Sequence, residues 1–210
     1  MIKFLSGKLN TKIPNEVLSN FNKLKEDKYL DAKHCYRFRS FSEFEIKKGE
    51  IVLKQKRDFY QKSEINHYAG NISRRFEPIN KECLKTFIKI SKELITHLPK
   101  KFQNFSDIGA HQIRIKCSNN FVGYPVPEGW HKDMCDYVAI ISLNYKNIVG
   151  GTSRIRENLN DQNDIYNTFL KKNNFLLLNE KFFYHYTDPI NIKNKNNNGF
   201  RDILVLTING

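Results

Sequence analysis

The chain has 210 residues, 40% of them hydrophobic, with 16 Phe, 10 Tyr and a formal net charge of +13. That length and apolar content fit one folded domain with a real core and exclude a disordered polymer. No run approaches the apolar length of a membrane span, and Met1–Lys8 lacks a signal-peptide core, so no membrane partner and a cytoplasmic location are expected.

The first predicted element is a helix over 14–25, where Val17, Leu18, Phe21 and Leu24 recur at helical spacing and Pro14 suits a first turn. A second helix carries Leu84, Phe87, Ile88, Ser91, Leu94, Ile95 and Leu98 in one stripe, a face for packing on a sheet, and Pro99 ends it. From His111 the pattern changes to strand. His111–Cys117 alternates Ile113, Ile115 and Cys117 against Gln112, Arg114 and Lys116. Residues 124–130, Tyr-Pro-Val-Pro-Glu-Gly-Trp, read as a rigid approach loop. Runs 137–143, 174–179 and 201–208 are short, apolar and bounded by turn residues, which predicts buried strands. Gly150-Gly151 predicts a hairpin, 161–172 a third, shorter helix, and the Asn/Lys stretch 193–198 a polar loop.

Helices early and strands late predict an α+β, mainly β fold. The expectation is a single domain over 1–210, with a jelly-roll core from about 105 to 210 and a helical/β N-terminal extension over 1–104. Cys35, Cys83, Cys117 and Cys135 form no C-x-x-C pair and no metal-finger spacing, which fits a reduced, cytosolic protein.

The chemistry concentrates in His131-Lys132-Asp133, His185 and Arg201. Two imidazoles and one carboxylate with open positions make the facial triad of non-haem Fe(II) oxygenases. The triplet alone also fits a surface loop pair, and a lone His185 among Phe182, Phe183, Tyr184 and Tyr186 also fits a packed core residue. What favours metal is context. His131 and Asp133 stand at the mouth of the buried run 137–143, where positions i and i+2 project to one side. In a jelly roll, sequentially distant strands lie side by side, so His185 can join them. Arg201 opens the terminal strand, and its guanidinium can grip a carboxylate bidentately, as a 2-oxoglutarate cosubstrate requires.

The chain resembles the bacterial 2-oxoglutarate/Fe(II)-dependent dioxygenases that hydroxylate free amino acids, typified by L-isoleucine dioxygenase, over about 35–208. The carriers are Tyr36-Arg37-Phe38 and Phe41, then Asn66, Gly70 and Arg75-Phe76-Glu77-Pro78-Ile79. His111-Gln112-Ile113-Arg114 and Val126-Pro127-Glu128-Gly129-Trp130-His131-Lys132-Asp133 follow. Asn144, Asn147-Ile148, Gly150-Gly151-Thr152-Ser153, His185 and Arg201-Asp202-Ile203-Leu204 complete the series. The resemblance implies a double-stranded β-helix core, Fe(II), 2-oxoglutarate and O₂ as cofactor and cosubstrates, His131, Asp133 and His185 as iron ligands, and Arg201 as the 2-oxoglutarate clamp. Met134 stands where the family pattern has glycine and Tyr145 where it has arginine. Both adjoin the expected iron site and leave room for a substrate other than an aliphatic amino acid.

An amino-acid substrate needs a cation for its carboxylate and an anion for its ammonium. Gln112, Arg114 and Glu128 are the candidates, against a structural role in salt bridges. Two other readings compete. The charge of +13 suggests a nucleic acid or protein side chain as substrate, but the lysines are scattered singly or in pairs such as Lys47-Lys48, and no aromatic-basic interleaving is present. The Met134-Cys135 pair suggests a non-catalytic jelly-roll binding module.

Overall fold

The structure, a computed structural model, describes residues 2–30, 35–55, 58–61, 63 and 70–210. It opens with strand β1 (Phe4–Lys8), helix α1 (Asn15–Asn20) extended by a 3-10 turn over Phe21–Lys23, and the hairpin of β2 (Arg37–Lys47) with β3 (Glu50–Leu53). Helices α2 (Lys81–Ile95) and α3 (Lys100–Asn104) follow. The C-terminal part is all strand: β4 (Phe105–Cys117), β5 (Tyr137–Lys146), β6 (Ile148–Gly150), β7 (Ser153–Arg156), β8 (Tyr166–Thr168), β9 (Asn174–Asn179), β10 (Tyr184–Thr187), β11 (Ile190–Ile192) and β12 (Gly199–Asn209).

Seven strands form the main sheet in the order β1-β9-β5-β12-β4-β2-β3, with antiparallel pairing throughout. Its central strands are apolar on both faces, and each face finds a different cover. On one side α2 lays down Phe87, Ile90 and Leu94, all fully buried, against Ile108, Ala110, Leu204 and Leu206. Burial of each of those three helix side chains contributes roughly 1.5–3 kcal/mol. The Asn80 side chain caps the helix by accepting the Glu82 N–H at 2.9 Å. On the other side Val138, Ile140, Leu176 and Leu178 pack against Ile155, Leu170 and Phe183. There two small sheets, β10-β7-β8 and β11-β6, close the sandwich. The fold is mostly β with a jelly-roll core, as the patterning predicts.

Two local expectations are corrected. Residues 161–172 form no helix, and Tyr166–Thr168 pairs instead with β7 as an edge strand. Asp164 accepts from Arg154 Nη1 at 2.7 Å and Arg156 Nε at 2.6 Å, and Ile165 N–H donates to Ile155 at 3.0 Å. These bonds hold the segment extended, although Ile165, Tyr166, Phe169 and Leu170 have helix-like spacing. Gly150-Gly151 is not a hairpin either. β6 pairs with β11 and β7 with β10, so the two glycines carry the chain from one small sheet to the other. Both are left-handed (φ +79° and +72°), and a Cβ on Gly150 would meet the Pro189 carbonyl oxygen at 2.1 Å. The helix expected over 14–25 ends by Lys23, and Asn66 of the family series lies outside the described residues.

Candidate active site

His131 and His185 face each other as a cross-strand pair. His131 N–H donates to His185 O at 3.2 Å, His185 N–H to His131 O at 3.0 Å, and the rings lie 4.1 Å apart. This bridge places His131 beside β10, on the edge opposite β7. The loop is held by Trp130, whose ring lies 5.4 Å from Tyr186 and under the Arg156 guanidinium at 4.2 Å. Arg156 is itself fixed by Asp164, so the extended 161–172 segment contributes to the posture of the loop.

The donor atoms of His131, Asp133 and His185 all lie within 4.8 Å of one another. His131 Nδ1 donates to the Gly129 carbonyl at 3.0 Å, which fixes the tautomer and leaves Nε2 with a free lone pair, 3.8 Å from Asp133 Oδ1. His185 Nε2 is 3.4 Å from Asp133 Oδ2 and 3.0 Å from Glu180 Oε1, yet neither approach is aligned for a hydrogen bond. Burial alone would lower the His185 pKa, but the two carboxylates outweigh it and raise it to about 10. Burial likewise works against the Asp133 carboxylate, and the facing imidazoles overcome it, holding the group well below its usual range. A converging set of one carboxylate and two imidazoles, one with a buried unbonded nitrogen, suits a divalent metal of the Fe(II) type.

Glu180 was not legible in the sequence: it is a single acid just past the end of an apolar strand, with no motif around it. It is 2% exposed, touches His185, and accepts the Met134 N–H at 2.8 Å through Oε2. Met134 adopts φ +59°, the left-handed conformation that explains why glycine suits this position. Its side chain is 69% exposed and packs against little. Relief of left-handed strain is worth about 1–2 kcal/mol. The extra freedom glycine gives the unfolded chain returns about 0.4–1 kcal/mol of that. Met134→Gly should therefore stabilise the protein by about 0.5–1 kcal/mol, read as a higher urea midpoint at unchanged m-value.

Arg201 is 1% exposed and donates through Nη1 to the Gly151 carbonyl at 2.6 Å, while its Nε and Nη2 have no partner. Burial lowers its pKa to about 10, and no carboxylate pairs with it among the described residues. It projects from β12 on the face shared by Ile203, Val205 and Thr207, which line the cavity over the histidines. A buried guanidinium in this condition is costly unless an anion completes it.

The other expected substrate groups separate. Glu128 lines the cavity. Gln112 and Arg114 do not, and the expectation for them is corrected. They share a face, as their spacing predicts, but it is the helix-side face. Gln112 bonds Ser40 Oγ at 3.0 Å and Asn20 Oδ1 at 3.3 Å, and Arg114 grips Asp202 at 2.6 and 2.7 Å and contacts Asn22. The cavity is lined instead by His111 and Ile113 from β4 and by Arg37, Arg39 and Arg74 from the N-terminal part.

A jelly roll with a 2-His-1-carboxylate cluster and a buried, anion-seeking arginine defines the non-haem iron oxygenase class. Residues 19–207 match the 2OG-Fe dioxygenase family model, and the chain belongs to that family. It is therefore a 2-oxoglutarate-dependent dioxygenase that uses Fe(II), 2-oxoglutarate and O₂, and the reading as a non-catalytic module is set aside. The chain is 24% identical to L-isoleucine-4-hydroxylase from Bacillus thuringiensis, with 97% of this chain and 86% of that protein aligned. Among solved structures, a bsmA homolog from Methylobium petroleophilum PM1 superimposes with a TM-score of 0.79 at 26% identity, covering 93% of this chain and 80% of the other. IDO from Bacillus thuringiensis superimposes with a TM-score of 0.75 at 21% identity, covering 98% and 90%.

Proposed function

We propose that this dioxygenase hydroxylates a free L-amino acid, or a close derivative, at an unactivated carbon, with release of succinate and CO₂. In this reading His131, Asp133 and His185 hold the iron, and Arg201 receives the distal carboxylate of 2-oxoglutarate. The observation that carries it is the buried Arg201 with two nitrogens unbonded, on the sheet face that continues into the cavity over the histidines. The similarity to an L-isoleucine-4-hydroxylase supports the substrate class.

Bound Fe(II) supplies activation of O₂ and the oxidising power for C–H hydroxylation as 2-oxoglutarate is consumed. The protein's part is placement. The backbone bridge between His131 and His185 fixes two donors, Glu180 anchors the turn that carries Asp133, and Arg201 orients the cosubstrate. Ile140, Ile203 and Val205 wall the cavity with apolar surface that excludes water.

The test is anaerobic reconstitution with Fe(II) and 2-oxoglutarate, followed by O₂ and the proteinogenic amino acids in turn. One of them should couple succinate formation to a product heavier by one oxygen atom. Absence of coupled turnover across the set would remove the amino-acid reading.

A further prediction concerns protons. Because His185 titrates near 10, it is an imidazolium at neutral pH in the metal-free protein and must lose that proton to ligate. The imidazolium's contribution to the metal-free fold is complete below about pH 6.5 and fades as pH rises through about 10. Metal affinity should therefore rise about tenfold per pH unit between roughly pH 7 and 9, with about one proton released per metal. Calorimetric titration of Mn(II) or Fe(II) in buffers of different ionisation enthalpy measures that release directly. A value near zero would show that no imidazolium is deprotonated when the metal binds.

A further inference from the structure

Two cavity arginines have no part in the reading above. Arg39 and Arg74 are 8% and 1% exposed, and the Nε atom of each is buried without a partner. Arg39 donates through Nη2 to His111 Nδ1 at 2.5 Å. Burial, with the nearby Arg39 charge, keeps that imidazole neutral, so the contact supplies no counter-charge. Arg74 donates through Nη2 to the neutral Gln61 amide at 2.5 Å. Arg37 beside them is different, because Asp27 pairs with it at 2.8 Å. Among the described residues no carboxylate pairs with Arg39 or Arg74 at ion-pair distance, although Glu128 and Asp133 attract Arg74 from farther away. Both arginines line the same cavity, and their guanidiniums lie over one ring of its wall, Phe59, at 5.0 and 4.6 Å. The only carboxylates on the cavity wall among the described residues are Asp133, which faces the histidines, and Glu128.

The wall thus offers two unmatched guanidiniums and one unassigned carboxylate. A neutral amino acid brings one carboxylate and one ammonium, and would leave a buried arginine uncompensated. A second carboxylate removes that deficit, because a planar guanidinium holds a carboxylate with two parallel bonds. We propose that the substrate is an α-amino dicarboxylate, with its two carboxylates held by Arg39 and Arg74 and its ammonium facing Glu128. This rests on the amino-acid hydroxylase reading and makes it more specific.

The experiment uses the anaerobic holoenzyme with Fe(II) and saturating 2-oxoglutarate. It is titrated calorimetrically with L-glutamate, L-aspartate, their amides L-glutamine and L-asparagine, and L-isoleucine. One of the acids should bind at least tenfold more tightly than its own amide. Arg39→Met and Arg74→Met should each erase that ratio while Fe(II) and 2-oxoglutarate binding persist. Free Arg74→Met protein should melt no lower than the parent, because an uncompensated buried cation has been removed. A purely structural arginine would instead lower the melting point. Equal binding of acid and amide, preference for isoleucine, or acid binding that competes with 2-oxoglutarate would each overturn the proposal. The comparison of acid with amide needs no variant, so it stands if a substituted protein fails to fold. Failure of the underlying reading would show separately, as a holoenzyme that takes up Fe(II) and 2-oxoglutarate but binds none of the five amino acids and turns over none of the proteinogenic set.

Discussion

Asp133→Ala should lose Fe(II) binding by well over a hundredfold and lose turnover with it. Replacing residues that merely orient a metal ligand typically costs about 10–100-fold, so deleting the one charged ligand costs more. Among the described residues this carboxylate alone approaches both imidazoles, while Glu180 approaches only His185. Removing it also strips His185 of half the charge that raises its pKa, so the metal would meet a site with weaker charge attraction and one fewer donor. Asp133→Asn keeps the shape and removes the charge, and should lie between the parent and the alanine variant. Equilibrium dialysis with Fe(II) under anaerobic conditions measures all three. Retention of parental iron affinity by Asp133→Ala would place the metal elsewhere.

Arg201→Lys should leave iron binding nearly unchanged and weaken 2-oxoglutarate by roughly ten- to a hundredfold. The lysine keeps a charge but replaces a planar fork with a single point donor. Loss of one buried bidentate contact costs about 1.5–3 kcal/mol, which sets that range. Lysine would also forfeit the Gly151 carbonyl bond that now fixes the guanidinium plane. The two variants therefore separate: the Asp133 change is seen first in metal, the Arg201 change first in cosubstrate. Unaltered 2-oxoglutarate affinity in Arg201→Lys would show that another cation is the clamp. Arg114 is then a poor substitute, since Asp202 already occupies it.

Two members of the candidate metal cluster, His131 and Asp133, were legible because they are local and chemically unusual, while His185 joins them only through the fold. A His-x-Asp triplet at the start of an apolar strand and an arginine at the start of another can be read without a fold. Gln112 and Arg114 show where that reading stops. Alternation put them correctly on one face, but β4 is central and buried on both sides, so nothing in the pattern says which face meets the cavity. The answer depends on α1 and the 3-10 turn, whose Asn20 and Asn22 occupy the face that those two residues use. Arg39 was invisible for a related reason. β2 pairs with β4 from Arg37↔Ile115 to Lys47↔Phe105, a contact between segments some seventy residues apart at the middle of the pairing, and no local signal announces it. The Asn- and Asp-rich 161–172 segment misled because its helix-like spacing was read without the two arginines that hold Asp164.

Arg201 and Asp202 are adjacent in the chain and opposite in charge, yet they never meet. The pleat sends Arg201 into the sandwich and Asp202 to the helix side, where Arg114 takes both carboxylate oxygens. The sheet acts as an electrical partition one backbone thick. A single-residue deletion at Asp202, beside the apolar run 203–208 that fixes the register, would carry Arg201 to the other compartment, removing the cation from the sandwich side and leaving Arg114 facing another cation. The end of this strand can therefore drift in sequence far more safely than it can drift in length.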